Sequence, residues 1–423
     1  MIIKKFVVQI LKIGRIAKNI IEALWVVAGK LISNRELRDC KKKVIIFYVD
    51  SNKHRPAKIA RELIKKKWHV IYVGQDCPDA LGIYSECYFE TELGKIDKIL
   101  SENDSILIHL FSAAISINAL AIIIKFNQRL IYDPTDVLLK NVRPLGLVDI
   151  YRGHIKLKVI FLLFSIGQKI GIALSGNIIF RDLQVVSSGI IDPIKRRKKN
   201  TILFSDYIVE GIGHLKKTLR HGDKVRVVSC GNILIFDHGC GSAVVEYTKI
   251  LLDQGVEVVF YIATQGISLQ RHLEFLPGLS EIMKNNKSFS IRESISEEEL
   301  IKEINGFDYG LFIVGDHYYN VSPTDSNSIF SPHNYTHCGG ARAATYLSAN
   351  LNVISVDPGY LTYSNFLLRR YGNLHLLNPG GGGEKLRKKG WMKYESKNRL
   401  LMRNNIDRLT RYYDKTSRFS EVS

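Results

Sequence analysis

The sequence predicts a two-domain α/β protein with two parallel sheets in series. Short apolar strands and helices alternate from about Lys41 onward, and the alternation restarts after the basic stretch 195–199. Alternation of this kind is typical of parallel sheets covered by helices. The chain has 423 residues. Chains of this length usually form more than one hydrophobic core, so two domains are expected.

The first half contains four predicted strands. Val44–Val49 is a continuous apolar run, which indicates a strand that is buried on both faces. A helix is predicted at 56–67, and the later strands are expected at 70–73, near Ile106 and at 129–132. The succession of strand, helix and strand favours parallel pairing in this half.

The second half repeats the same order of elements. Strands are predicted at 225–229, 256–261, 309–314 and 353–356, and helices at 241–254 and 340–348. A further helix is predicted to begin at Ser296, because Glu299 follows three residues later and the two form a capping box.

Two apolar stretches bear on membrane association. Residues 1–31 place apolar side chains at helical spacing, but Lys and Arg cut every apolar run well below the ~20 residues that cross a bilayer. We therefore expect a basic amphipathic helix at a membrane surface, with packing on the protein's own core as the alternative. The stretch 159–180 carries Lys169 as its single charge, and either a core helix or a second membrane-facing surface is expected there.

Charge and cysteine content narrow the classes of partner and compartment. The formal net charge of +19 attracts polyanions such as nucleic acid, anionic lipid and sugar nucleotides. No zinc-finger spacing, RNA-recognition signature or helix-turn-helix pattern is present, so no nucleic-acid partner is expected.

The six cysteines include no CxxC pair, which predicts reduced thiols in a cytoplasmic compartment.

Three segments of the second half resemble a known family. Residues 225–232 form a strand that ends with Gly231 and Asn232, and residues 307–310 read Phe-Asp-Tyr-Gly. Residues 339–355 hold two glycines, a basic residue at Arg342, a Tyr-Leu pair and small residues. In this order they resemble the donor-binding domain of GT-B glycosyltransferases, especially the retaining nucleotide-sugar enzymes of envelope polysaccharide synthesis. The first half is similar more loosely, through its residues 50–63 and 132–136.

The resemblance implies two Rossmann-like domains with parallel sheets that face a central cleft, preceded by the N-terminal amphipathic helix. Residues 1–40 would be the membrane-associating helix and residues 41–200 the acceptor domain. Residues 201–380 would be the donor-binding domain, and the basic tail 381–423 would cross back onto the first domain.

The resemblance and the strand ends together predict two sets of functional residues. Helix amino termini and arginine side chains suit the diphosphate of a leaving nucleotide. The predicted binding residues are Gly231, Asn232, Arg271, His337, Gly339, Gly340, Arg342 and Thr345. The predicted catalytic residues, which could accept the proton of an acceptor hydroxyl, are Asp50, His54, Asp133 and Asp136.

A structural role is the alternative for each set. Glycine-rich turns and solvated arginines occur without any ligand, and Asp commonly caps turns, as in Asp133-Pro134. Thr345 stands where the family usually has a ribose-binding Glu, and a hydroxyl cannot accept both ribose hydroxyl protons as a carboxylate does. His333, His337 and Cys338 match no standard zinc spacing, so no metal site is expected.

These features predict a membrane-associated glycosyltransferase that acts on the cytoplasmic face of the cell membrane. Its donor would be a nucleotide-sugar, its acceptor a lipid-linked glycan or a polysaccharide, and no tightly bound cofactor is expected. Two alternatives stay open: a sugar-nucleotide epimerase of the same fold, and a non-catalytic relative that acts as a scaffold or partner in a biosynthetic complex.

Overall fold

The structure is a computed structural model that describes most of the two sheets and the helices around them. The described residues are 43–49, 54–75, 82–90, 93–103, 105–112, 117–134, 167–181, 200–205, 207, 224–231, 238–262, 268–274, 277–293, 295–312, 341–356, 374–377 and 401–422. The predicted N-terminal amphipathic helix lies outside these residues.

The first domain is built on a parallel sheet of seven strands. They are β1 (Val44–Val49), β2 (His69–Gly74), β3 (Glu86–Phe89), β4 (Leu107–Phe111), β5 (Leu130–Asp133), β6 (Asn177–Phe180) and β7 (Asn200–Leu203). Their order in the sheet is β3-β2-β1-β4-β5-β6-β7, and every pair is parallel. The chain therefore winds outward from β1 in one direction and from β4 in the other, as in a doubly wound fold.

Helices cover both faces of this sheet because its strands are apolar on both sides. The labelled helices are α1 (His54–Lys65), α2 (Leu93–Glu102) and α3 (Ile117–Phe126). In β1, Ile46 and Tyr48 join the core beneath α2 and α3, whereas Ile45 and Phe47 join the core beneath α1. All six residues of β1 are buried, which confirms the prediction from its continuous apolar run.

The second domain repeats this plan with six strands. They are β8 (Arg226–Gly231), β9 (Glu257–Ile262), β10 (Phe289–Glu293), β11 (Tyr309–Phe312), β12 (Asn352–Val356) and β13 (Leu374–Leu377). The order is β10-β9-β8-β11-β12-β13, with parallel pairing throughout. Two doubly wound parallel sheets confirm the predicted fold class of two Rossmann-like domains.

Among the described helices of the second domain, three lie close to their predicted positions, near residues 240, 296 and 340, and two others were not predicted from the sequence. The helices are α4 (His238–Asp253), α5 (Leu269–Glu274), α6 (Pro277–Asn285), α7 (Glu297–Ile304) and α8 (Ala341–Ser348). Ser296 is the N-cap of α7 and its side chain accepts from the backbone N–H of Glu299. The hydroxyl of Ser296 also donates to the Glu299 carboxylate at 2.7 Å. The N-cap bond of the predicted capping box is therefore present, with the Glu299 carboxylate bonded to the Ser296 hydroxyl.

The last helix, α9 (Met402–Val422), packs on the first domain. Met402, Ile406 and Tyr413 are buried in the core beneath α1, while Leu401, one residue earlier, is buried in the core of the second domain. The chain thus passes from one core to the other between two consecutive residues. Within the described ranges, no helix is both long and apolar enough to cross a bilayer.

The structure differs from the prediction at 159–180 and at the domain boundary. Residues 167–174 are helical, and Ser175 and Gly176 end that helix before the buried strand β6. The described portion of this stretch is therefore a helix followed by a core strand rather than a helix throughout, and its membrane-facing surface stays a prediction. Pairing of β7 with β6 extends the first sheet to Leu203, past the boundary expected at residue 200.

Candidate functional site

The second sheet has its topological switch point between β8 and β11. On one side lie β9 and β10, and on the other lie β12 and β13. In open α/β sheets, ligands bind beyond the carboxyl ends of the strands at such a point, because the connecting helices leave a crevice there. The carboxyl end of β8 is Gly231, and α8 begins nearby at Ala341.

Tyr346 of α8 lies between the two central strands near their carboxyl ends. Its hydroxyl accepts the backbone N–H of Cys230 at 3.0 Å and donates to the carbonyl of Leu311 at 2.8 Å. The side chain is fully buried. Burial raises the pKa of Tyr346 well above its ordinary value, so the hydroxyl keeps its proton and remains a donor to the Leu311 carbonyl.

Gly310 of β11 makes room for the ring of Tyr346. A Cβ at Gly310 would lie 2.5 Å from Cδ1 of that ring, which is closer than any ordinary contact. This explains why a glycine interrupts an otherwise apolar strand: an isolated strand glycine often marks a close approach of another group. The Phe-Asp-Tyr-Gly segment of the resemblance therefore contributes to the shape of the crevice.

Arg342 lies directly against Gly231 at the end of β8. Gly231 has φ of +107°, and a Cβ there would lie 3.2 Å from Nε of Arg342. Glycine is favoured at this position because other residues rarely adopt such a backbone conformation. The structure thus brings together two of the predicted binding residues, on different elements, at the switch point.

Burial and the charge of Arg342 determine the electrostatics at the carboxyl end of β8. Burial raises the pKa of the Cys230 thiol to about 12, although the positive charge of Arg342 acts in the opposite direction. Cys230 is therefore a neutral thiol at physiological pH and is not a nucleophile. The half-buried guanidinium of Arg342 and the positive end of α8 together form a site suited to an anion.

The other predicted binding residues are only partly described. Thr345 is half-buried in α8, one turn beyond Arg342, and its ribose-binding role stays a prediction. Arg271 lies in α5, but its side chain is outside the described portion of the chain. The remaining predicted binding residues lie outside the described portion of the chain: Asn232, His337, Gly339 and Gly340.

Among the predicted catalytic residues, Asp133 is the one whose side chain is described. It ends β5, is fully buried, and accepts from Nε of Arg55 at 2.8 Å. Nε2 of His109 lies 3.4 Å from the same carboxylate oxygen. The structure thus encloses Asp133 in an ion pair between β5 and α1, and a proton-accepting role for it stays a prediction. His54 begins α1 with an undescribed side chain, and Asp50 and Asp136 lie outside the described residues.

The two domains touch through the middle of α1 and the first turn of α7. Nζ of Lys58 lies 2.6 Å from the Glu297 carboxylate, and Nη1 of Arg61 lies 2.7 Å from that of Glu298. Each of these helices follows a strand and so begins at the carboxyl edge of its sheet. The contact therefore places the carboxyl edge of the second sheet, where α7 begins, beside α1 of the first domain.

Sequence reasoning found Arg342 and Gly231 but assigned no role to Tyr346 or Gly310. The glycine was a usable signal, because it stands within the predicted strand 309–314. No local pattern could show that Tyr346, which lies 35 residues away from Leu311, inserts its hydroxyl between two strands.

Comparison with solved structures finds similar folds at low sequence identity. A UDP-GlcNAc 2-epimerase from Methanocaldococcus jannaschii has a TM-score of 0.48 and 12% identity, covering 87% of this chain and 98% of that one. A glycosyltransferase from Rickettsia africae has a TM-score of 0.48 and 9% identity, covering 90% and 94%. A sucrose-phosphate synthase from Thermosynechococcus elongatus has a TM-score of 0.46 and 10% identity, covering 90% and 94%. No protein-family model matches the sequence, and no curated protein matches it.

Proposed function

We propose that this protein is a glycosyltransferase that uses a nucleotide-sugar donor and no tightly bound cofactor. The observation that carries the proposal is the placement of Arg342 against Gly231 at the switch point of the second sheet. A leaving nucleoside diphosphate is a compact anion, and a guanidinium can donate two parallel hydrogen bonds to it. The amino terminus of α8 adds partial positive charge at the same place.

The first domain would present the acceptor across the cleft. The Lys58–Glu297 contact supports this, because it brings the carboxyl edge of the second sheet, where α7 begins, beside α1 of the first domain. The predicted acid–base residues Asp50 and Asp136 follow strands of the first sheet along the chain, and either could accept the proton of the acceptor hydroxyl. The acceptor would be a lipid-linked glycan or a polysaccharide of the cell envelope.

Association with the cytoplasmic face of an anionic membrane belongs to this proposal. The net charge of +19 favours an anionic surface. Three large apolar side chains are exposed on helices of the first domain: Ile124 at 62%, Ile170 at 38% and Leu174 at 43%. Apolar side chains beside basic ones are typical of surfaces that lie at the interface of a bilayer. Sedimentation with vesicles of phosphatidylcholine and phosphatidylglycerol, against phosphatidylcholine alone, tests the membrane association.

The nucleotide site is tested by calorimetric titration with UDP, GDP and ADP. Arg342→Ala should weaken binding of the preferred diphosphate more than about tenfold, since charge-assisted hydrogen bonds contribute ~1.5–3 kcal/mol. Arg226→Ala is the matched control, because Arg226 lies at the opposite, amino end of the same strand and should not affect affinity. Equal affinity of the wild type and Arg342→Ala would overturn the assignment of this site.

Turnover separates the proposal from its alternatives. A glycosyltransferase releases the nucleoside diphosphate only when an acceptor is present, whereas an epimerase converts the sugar nucleotide without any acceptor. A non-catalytic relative would bind the donor and change nothing. Incubation of labelled sugar nucleotides with and without a lipid extract, followed by chromatography, distinguishes the three outcomes. Transfer of label to lipid supports the proposal, and either of the other outcomes contradicts it.

A further inference from the structure

The two central strands of the second sheet separate before the end of their register. β8 and β11 pair at Val227 with Tyr309 and at Val228 with Gly310. Two residues further on, this register would place Cys230 opposite Phe312. In a parallel ladder the N–H of Cys230 would then donate to the carbonyl of Leu311.

The hydroxyl of Tyr346 occupies the place of that ladder bond. It accepts from the N–H of Cys230 at 3.0 Å and donates to the carbonyl of Leu311 at 2.8 Å. Two hydrogen bonds in series replace a single one, so both buried backbone groups are satisfied while the strands stand apart. The gap that results lies at the switch point, where doubly wound sheets bind their ligands.

The same tyrosine determines the position of Arg342. Arg342 lies one turn earlier in α8, and residues three or four apart share one face of a helix. The ring of Tyr346 is fully enclosed and crosses β11 at Gly310, where no side chain obstructs it. The contact fixes both the distance and the rotation of α8, and it thereby holds the guanidinium against Gly231.

We propose that Tyr346 is a positioning residue for the diphosphate of the nucleotide: its hydroxyl keeps β8 and β11 apart and its ring holds Arg342 over the gap. The proposal rests on the proposed function and deepens it, because it states what makes the site specific for the diphosphate group of the ligand. Tyr346 itself does not touch the reacting atoms. Its effect on binding passes through Arg342 and the width of the gap.

The test compares two probes on the full chain: the nucleoside diphosphate that the wild type binds best, and the corresponding nucleoside. Tyr346→Phe should weaken diphosphate binding about five- to tenfold and leave nucleoside binding unchanged, because loss of the hydroxyl allows the strands to close beneath Arg342. In the Arg342→Ala background the same change should cost less than about twofold, since coupled residues are not additive.

Tyr412→Phe is the matched control. This tyrosine is also buried, and its hydroxyl donates to the carbonyl of Asn200 at 2.8 Å in the first domain. Its loss should lower stability and leave both affinities unchanged. Should Tyr346→Phe not fold, Gly310→Ala, whose methyl group would displace the ring, must weaken diphosphate binding with the same selectivity.

The outcomes separate the two proposals. Wild-type protein that binds no nucleoside diphosphate overturns both the proposed function and the positioning role. Wild-type binding that Tyr346→Phe leaves intact, or a loss that is equal for diphosphate and nucleoside, overturns the positioning role alone. A selective loss that disappears in the Arg342→Ala background supports it.

Discussion

His109 is a fully buried histidine held between a phenol and a carboxylate. Its Nδ1 lies 2.7 Å from the hydroxyl of Tyr413, and its Nε2 lies 3.4 Å from Asp133. Burial lowers the pKa of His109; the carboxylate of Asp133 acts in the opposite direction but does not outweigh burial, which the positive charge of Arg55 reinforces. Burial alone would raise the pKa of Asp133, but Arg55 and His109 outweigh it, so that pKa is lowered. At neutral pH a neutral imidazole therefore lies beside an ionised carboxylate.

This arrangement predicts that stability falls as the pH drops below about 6.5, the ordinary pKa of histidine. The unfolded chain takes up a proton on His109 near that pH, whereas the folded chain takes it up only at lower pH. The free energy of unfolding therefore decreases as the pH falls from about 6.5 to the lowered pKa of the folded state. Urea unfolding at pH 7.5, 6.5 and 5.5 measures the slope, which His109 can steepen by up to ~1.4 kcal/mol per pH unit.

His109→Gln isolates this contribution, because glutamine carries a neutral amide and does not titrate. The variant should be less stable at pH 7.5 but should lose less stability on acidification than the wild type. Identical slopes for both proteins would contradict the lowered pKa of His109. The ion pair of Asp133 with Arg55 acts at lower pH: its contribution is present above the unfolded pKa of Asp133 and disappears as the pH falls through the lowered folded value.

At the same scale, the sequence predicted Arg342 and Gly231 because an arginine and a glycine beside strand and helix ends suit a phosphate. It could not predict the environment of Asp133. The partners Arg55 and His109 are distant in sequence, and Asp133-Pro134 has the same local pattern whether the carboxylate is open or enclosed. The carboxylate of Asp133 is buried because α1 packs on the sheet, and no local sequence pattern shows that packing.

At the scale of elements, long apolar runs were predicted well and several short strands were not. β1 and β9 were recognised because each has six residues, nearly all apolar. β3, β6, β7 and β13 have four residues each, too few for a period of two to stand out from a loop. Their pairing with longer neighbours, rather than their own pattern, makes them strands. β5 and β11 are as short but were predicted, because the alternation of strands and helices placed them.

The packing of α8 on β11 predicts a large effect from one added methyl group. Gly310→Ala should lower the free energy of unfolding by about 1–3 kcal/mol, because the new Cβ overlaps the ring of Tyr346 and α8 must shift. Gly176→Ala is the matched control, since nothing lies within 4 Å of a Cβ there, and it should stay within about 0.5 kcal/mol of the wild type. Urea denaturation measures both, and equal stabilities would contradict the close contact.

At the scale of the whole molecule, the described residues show two connections of different kinds between the domains. One is the passage of the chain from the core of the second domain at Leu401 to that of the first at Met402. The other is the pair of contacts from Lys58 and Arg61 to the acidic first turn of α7. The first is apolar and covalent, so salt leaves it unchanged, whereas partly exposed ion pairs weaken with ionic strength.

The spacing of the two domains should therefore depend on charge at Glu297. Glu297→Lys replaces attraction to Lys58 with repulsion, and we expect a larger radius of gyration by small-angle X-ray scattering at 50 mM NaCl. The difference should vanish at 1 M NaCl, where the screening length is only ~3 Å. Since a single exposed pair contributes ~0.2–1 kcal/mol, the shift in population should be partial.

Two further variants decide whether the Lys58–Glu297 contact is responsible. The double variant Lys58→Glu with Glu297→Lys restores opposite charges and should return the radius of gyration to the wild-type value. Glu281→Lys makes the same charge change at an exposed position of α6 and should leave the domains in place. If Glu281→Lys expands the molecule as much as Glu297→Lys does, general repulsion within a chain of charge +19 is the cause. The contact between α1 and α7 would then not determine how far the two domains stand apart.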